Sequence, residues 1–223
     1  MFWLILVMFI NIWISYWNAY VCGKAWEEAK AIGGFIRVLV WCGAIQSAVG
    51  FSSVILFVLA VVAHVTVPDV FTDVYFQGTV SLWYVSVIFP VIGSGFCITV
   101  ESWMTAYRER SLLQIGRAGW NTFAQVHNTV GMINNLGPAF EAVGEAFASV
   151  ANAPSRGKDS AKGKAAILGL MLMILIVVVA LAGGAMITAA IIKKYAGTVP
   201  LPDREAHDES LEGRIKAGQR RFT

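Results

Sequence analysis

The sequence predicts an all-α integral membrane protein with about four transmembrane helices and an amphipathic helical hairpin between the third and the fourth. Hydrophobic residues make up 57% of the 223 residues, charged residues make up 14%, and the mean hydropathy is +0.65. Soluble domains, in contrast, carry about a quarter charged residues. The apolar residues are also gathered into runs long enough to cross a hydrocarbon core of about 30 Å.

The first apolar run, residues 1–20, contains no charged residue and ends in an aromatic cluster. A cleaved signal peptide needs basic residues at its start and small residues before the cleavage site. No Lys or Arg precedes Lys24, and Ala-Tyr-Val before Cys22 is a poor cleavage site. We therefore predict a retained span.

The second run, residues 35–67, carries a single charge, Arg37, near its start. As one helix its 33 residues would extend about 50 Å. Either half alone would be far shorter than the roughly 20 residues that a span requires. We predict one long helix, with Trp41 near the membrane interface and Pro68 just beyond its end.

The third and fourth runs cover residues 79–100 and 165–192, and neither contains a charge. Pro90 predicts a kink in the third span, because proline removes a backbone donor and crowds the preceding turn. The fourth run is flanked by lysines on both sides, Lys162, Lys164, Lys193 and Lys194. Both runs are predicted to cross the membrane.

The positions of Lys and Arg predict the orientation, because short basic loops tend to stay in the cytoplasm. The connection before the second span and residues 101–164 are rich in Lys and Arg, whereas the connection at residues 68–78 has none. Residues 101–164 are therefore expected on the cytoplasmic side. This order of spans would leave residues 193–223 outside. That polar tail is itself basic, which conflicts with the rule. The inverted orientation, with residues 101–164 outside, therefore stays open.

Residues 101–164 are predicted to hold the working surface. No proline interrupts residues 101–135, so the third span could continue through them as one helix, and Gly137-Pro138 would then turn the chain into a second helix. Apolar residues recur at intervals of three and four along both helices, as on an amphipathic face. The predicted docking stripe comprises Trp120, Phe123, His127, Phe140 and Phe147. Packing of these helices on each other, on the membrane surface or on a second copy is the simpler alternative.

Two polar segments complete the chain. Residues 154–164 resemble a flexible basic linker in composition, and lipid headgroups are its expected neighbours. Residues 193–223 carry both charge signs and few apolar groups, a composition typical of tails that order only on a partner.

Within the spans, polar and small residues are the candidate sites. Ionisable or polar groups in hydrocarbon are costly and often functional, and the candidates are Asn11, Gln46, Ser47 and Glu101. An interhelical hydrogen bond is the simpler role for each of them. Small residues let helices approach closely, which marks Gly43, Gly50, Ala180, Gly184 and Thr188 as packing or oligomer contacts.

No pattern in the sequence predicts an enzyme. The three histidines are far apart and lack partners at metal-ligand spacing, and no glycine-rich phosphate loop is found. The three cysteines fall in or beside apolar runs, where free thiols are expected. We therefore expect no catalytic residue, no cofactor, no bound metal and no nucleic-acid partner.

Two functional hypotheses remain. The first is a non-catalytic subunit or scaffold of an oligomeric membrane complex, which docks other subunits or further copies through its amphipathic helices. The second is a homo-oligomeric channel or pore, holin-like or ion-conducting, with the polar residues of the second span along the lumen. The expected location is a bacterial inner membrane, or a phage or virion membrane.

Overall fold

The computed structural model describes residues 2–153 and 160–198, and every regular element in these ranges is a helix. The six helices are α1 (Phe2–Ile32), α2 (Gly34–Thr66), α3 (Asp73–Glu109), α4 (Leu112–Asn134), α5 (Leu136–Ala151) and α6 (Ser160–Tyr195). Most of the predicted linker and most of the predicted tail lie outside the described residues.

Four of these helices are long and apolar enough to cross a membrane. They contain the segments Ile5–Ile32, Gly34–Thr66, Asp73–Glu109 and Ala161–Tyr195. The all-α class and the four apolar helices are confirmed, and they support a multi-pass membrane protein. The helices α1, α3 and α6 each extend beyond the predicted apolar run by a turn or more.

The connection between α1 and α2 is a single residue, Gly33. Its backbone angles, φ 69° and ψ −150°, lie in a region that essentially only glycine occupies. The two helices fold back on each other: Asn11 near the start of α1 donates to Ser53 Oγ (2.7 Å), and Cys22 Sγ contacts the Val40 carbonyl (3.3 Å). We call this end of the bundle the Gly33 end, and the opposite end, with the loop after Thr66, the Pro68 end.

The helices α2 and α6 form the closest packing in the bundle, which we call the α2–α6 seam. A Cβ on Gly184 of α6 would collide with the Ala48 carbonyl and with Ser52 of α2. Toward the Pro68 end the seam continues into an apolar core that includes Leu56, Ala60, Phe71, Tyr75, Met173 and Ala180. Small residues therefore let the two backbones approach, as is typical of helix pairs in membranes.

The helix α3 ends earlier than the sequence predicted. Residues 101–135 were expected to continue the third span, but α3 stops at Glu109 and Arg110 adopts a left-handed conformation with φ 50°. A non-glycine residue in that conformation costs about 1–2 kcal/mol. Contacts made by the returning helix offset this cost: the Asn121 amide donates to Ser102 Oγ (2.6 Å) and the Trp103 indole donates to Thr122 Oγ1 (2.8 Å).

The predicted hairpin between α4 and α5 does not form. Asn135 joins the two helices with right-handed helical angles, φ −87° and ψ −3°, so α5 continues in the direction of α4. Pro138 lies in the first turn of α5, where a helix tolerates proline because no intrahelical donor is lost. Together α4 and α5 therefore form one long element with a single-residue interruption.

The element α4–α5 runs back along the whole of α3. Thr122 contacts Trp103 near the Gly33 end, whereas the Ser149 and Tyr75 hydroxyls share a hydrogen bond of 2.6 Å near the Pro68 end. Residues 101–164 were expected on one side of the membrane. In the structure, α4 begins and α5 ends at opposite ends of the bundle.

The last helix, α6, consequently starts at the Pro68 end and runs parallel to α3. A Cβ on Gly169 near its start would collide with the Val70 carbonyl and Tyr75. Near its end, the hydroxyls of Tyr195 and Tyr16 share a hydrogen bond of 2.7 Å. Lys193 and Lys194 therefore lie at the Gly33 end, together with Lys24, Lys30 and Arg37 of α1 and α2.

Candidate docking surface

The predicted intramembrane polar residues form hydrogen bonds between helices of the same chain. Asn11 donates to Ser53 Oγ, and Gln46 Nε2 donates to Ser94 Oγ of α3 (2.8 Å). Ser47 donates to the Ser15 carbonyl (2.8 Å) and shares a 3.0 Å hydrogen bond with Thr188 of α6. Glu101 is different: it lies toward the Gly33 end of α3 and accepts from Thr105 of its own helix (2.8 Å).

These bonds leave the interior of the described bundle satisfied. Among residues 2–153 and 160–198, every buried side-chain nitrogen or oxygen has a hydrogen-bond partner. The serines predicted along a lumen are included: Ser52 Oγ accepts from the Trp83 indole (2.9 Å), and Ser53 accepts from Asn11. The polar groups of α2 thus join helices to one another.

The predicted small-residue contacts also lie inside the chain. A Cβ on Gly43 would meet Cys22 Sγ, and one on Gly50 would meet Ser15 and Asn11, so both glycines face α1. Ala180, Gly184 and Thr188 face α2 in the α2–α6 seam. All five residues contact neighbouring helices of the same chain.

The face of α4–α5 that lies on the bundle is made of small and polar residues. Gln125 Nε2 donates to the Ile92 carbonyl of α3 (3.1 Å), at a place where a Cβ on Gly95 would collide with the glutamine. The Tyr84 hydroxyl of α3 donates to the Met132 carbonyl (2.6 Å). The buried residues of this face are all alanines, Ala118, Ala139 and Ala146.

The outer face of α4–α5 carries the predicted docking stripe, and all five of its residues are exposed. Trp120 is 68% exposed and Phe123 is 62% exposed. The Phe123 ring lies 5.9 Å from the Trp120 ring and stacks on His127 at 6.0 Å with an interplanar angle of 14°. Phe140 and Phe147 are also exposed. The sequence pattern identified the stripe, but it did not show that the opposite, polar face would pack on α3.

Uncharged polar residues interrupt this outer face. Asn128 and Asn134 are exposed beside the stripe, as is His127 within it. Residues 118–140 contain no Asp, Glu, Lys or Arg, whereas Arg117 and Glu141 flank them. This stretch would extend about 34 Å, and it lies beside the apolar part of α3, from Ser102 to about Gly78.

The described residues form no cluster of metal-ligating side chains. In residues 2–153 and 160–198, no group of three His, Cys, Asp or Glu side chains could hold a metal ion. All three cysteines are free thiols.

Comparisons with protein-family models, with curated proteins and with solved structures find no match to this chain.

Proposed function

We propose that this chain is a non-catalytic subunit of an oligomeric membrane complex and that it contacts neighbouring membrane subunits through the outer face of α4–α5. The observation that carries the proposal is an exposed face that mixes aromatic and uncharged polar residues beside the apolar part of α3. The aromatic residues of such a face are unfavourable in water, and its polar residues are unfavourable in lipid.

In this proposal α4–α5 crosses the membrane with α3. The uncharged stretch of residues 118–140 matches a hydrocarbon core of about 30 Å, and charged residues flank it. Its bundle-facing amide and hydroxyl groups are bonded to α3, as the Gln125 contact with Ile92 shows. A weakly apolar helix can thus occupy the bilayer when a stronger span shields its polar face.

The outer face of α4–α5 needs a partner that can form hydrogen bonds. In this arrangement Asn128, Asn134 and His127 would meet lipid tails in an isolated chain, and a polar group without a hydrogen-bond partner is costly there. A facing helix from another subunit can supply these bonds. The neighbouring Trp120 and Phe123 rings, 5.9 Å apart, add the kind of aromatic anchor that dominates binding at protein interfaces.

The distribution of Lys and Arg indicates which end of the bundle faces the cytoplasm. Cationic residues at the Gly33 end outnumber those at the Pro68 end among the described residues, and short cationic segments favour the cytoplasm. We therefore propose that the Gly33 end is cytoplasmic, which also puts the chain after Tyr195 in the cytoplasm. The Gly33 end holds Lys24, Lys30, Arg37, Arg108, Arg110, Arg117, Lys193 and Lys194, and the Pro68 end holds Lys162 and Lys164.

The test is the mass of the purified complex in mild detergent, with two matched pairs of substitutions. Trp120→Ala with Phe123→Ala removes the outer anchor. Phe9→Ala with Trp13→Ala removes two α1 aromatics of similar exposure, 66% and 69%. Loss of a hot spot of about 2 kcal/mol weakens association about 30-fold. We expect the first pair to shift the complex toward smaller species and the second pair to leave its mass unchanged.

A monomeric wild-type protein, or equal behaviour of the two double variants, would contradict the proposal. Both double variants should keep the helical content of the wild type, because all four side chains are exposed. Circular dichroism checks this condition and separates loss of assembly from loss of folding.

A pore between copies is the second candidate, and the exposed amides of α4 favour it. The sequence predicted a lumen along the polar residues of α2, but Gln46, Ser47 and Ser52 are bonded inside the chain. If copies enclose water, Asn128 and Asn134 are better placed to line it. A pore predicts ion flux in liposomes that Asn128→Leu reduces and Gln46→Leu does not, whereas a scaffold predicts no flux.

A further inference from the structure

A cavity lies between α1, α2 and α6 at the Gly33 end. Its volume is about 610 Å³. Its deep part is lined by small residues that leave room beside the α2–α6 seam, and its mouth is lined by two tryptophans and three charged residues. The lining residues used below are Ala48, Ala185 and Ala189 in the deep part, and Trp26, Lys30 and Lys193 at the mouth.

The length of the cavity matches one leaflet of a bilayer. Along α6 its lining extends from Ala185 to Ala196, which is about 16 Å of helix. That distance is about half of a hydrocarbon core of about 30 Å. A molecule in this cavity would therefore reach from the level of the headgroups to about the middle of the membrane.

The deep part of the cavity is apolar in effect. Thr188 is the one polar residue that lines it there, and its hydroxyl is already bonded to Ser47 at 3.0 Å. The other residues lining this part are alanines and Ile45. An acyl chain is a suitable ligand for this apolar lining, since it needs no hydrogen-bond partner and gains van der Waals contacts when it fills the space.

The mouth of the cavity, unlike its apolar deep part, is lined by aromatic and charged residues. The Trp26 and Trp41 rings meet edge to face at 5.5 Å, and tryptophan prefers the headgroup level of a membrane. Lys30 lies over the Trp26 ring and pairs with Glu27 at 3.3 Å, whereas Lys193 has no acidic partner within the described residues. A smaller cavity of about 50 Å³ adjoins the mouth and adds Arg37 to its lining. Cations thus outnumber the single carboxylate, Glu27.

We propose that this cavity binds one anionic phospholipid, with an acyl chain beside Ala185 and Ala189 and the phosphate near Lys193 and Lys30. Basic pockets between membrane helices are the usual sites of anionic headgroups on the cytoplasmic side. The excess of cationic residues at the mouth favours an anionic headgroup. The alanine-lined deep part favours a ligand with an acyl chain over a soluble anion. The lipid would fill the space between α1 and the α2–α6 seam.

Native mass spectrometry of the full-length, delipidated protein tests this proposal with two lipids that share the same acyl chains, dioleoylphosphatidylglycerol and dioleoylphosphatidylcholine. We expect one phosphatidylglycerol to bind in preference to phosphatidylcholine. Lys193→Gln should weaken phosphatidylglycerol binding about fivefold, as expected for the loss of one lysine near an anionic headgroup. Lys194→Gln is the matched control, since Lys194 does not line the cavity, and it should leave the affinity unchanged.

A second pair of variants tests the acyl-chain part. Ala189→Phe fills the cavity and should abolish the bound phosphatidylglycerol, whereas Ala190→Phe, which does not line the cavity, should not. Both alanines are exposed, so neither substitution should disturb the fold. Retained binding in Ala189→Phe, equal affinity for the two lipids, or displacement by inorganic phosphate alone would overturn the proposal. Absence of binding to the full-length chain would also overturn it.

Discussion

The α2–α6 seam and the contact between α3 and α4–α5 use similar contact residues, but the helices that they join differ in their outer faces. In the seam, glycine and alanine bring two strongly apolar helices together, and the Ser47–Thr188 bond lies among them. In α4–α5, alanines and amides face α3 while the aromatic residues face outward. In both regions small and polar residues make the contact, as is typical of helix pairs in membranes.

The outer faces of α6 and α4 differ in their polar residues. The outer residues of α6 are almost purely apolar and suit lipid, whereas the outer face of α4 adds His127, Asn128 and Asn134. Under the proposed function, these exposed polar side chains are what mark the outer face of α4 for contact with another subunit.

The largest expected effect comes from filling the seam. Gly184→Leu would force a side chain against the Ala48 carbonyl and Ser52, and overpacking of this kind costs about 1–3 kcal/mol. Gly119→Leu on α4 is the matched control, because a Cβ there meets nothing within 4 Å. The loss of glycine from a helix should even stabilise that variant by up to about 1 kcal/mol.

Unfolding of both glycine variants by sodium dodecyl sulfate in mixed micelles, followed by tryptophan fluorescence, measures this difference. A variant at Gly184 as stable as wild type would show that the seam is not the closest contact of the folded chain.

A smaller effect is expected from the hydrogen bond in the seam. Thr188→Val removes the hydroxyl that bonds Ser47, while Ser47 keeps the Ser15 carbonyl as its acceptor. Because no buried donor loses its last partner, the loss should be about 0.6 kcal/mol, the average for such bonds in membranes. Thr66→Val is the control: its hydroxyl bonds the Val62 carbonyl of its own helix at an exposed site. The same unfolding assay should show a loss only for Thr188→Val.

Much of the fold could be predicted from the sequence because hydrocarbon constrains it strongly. The four apolar helices follow from runs that have no other stable environment. The exposed stripe at Trp120 and Phe123 follows from a spacing of three and four residues. Both features are local, so a single chain segment contains the information.

Two features could not be predicted, and both depend on contacts distant in the sequence. Arg110 carries no signal for a left-handed turn, since neither glycine nor proline is nearby. The turn is stabilised by the bonds that residues 121–125 make to α3. Likewise Gly137-Pro138 is a common helix break, but at this position the proline falls in the first turn of α5. The direction of α4–α5 then decides where α6 begins.

The passage of α4–α5 from one end of the bundle to the other is the central claim, and side-specific labelling of single cysteines tests it directly. With Cys22, Cys42 and Cys97 replaced by serine or alanine, Leu112→Cys and Ala151→Cys place one exposed thiol at each end of the element. An impermeant maleimide applied to sealed right-side-out and inverted vesicles should label the two positions from opposite sides. Labelling of both positions from the same side would contradict the account.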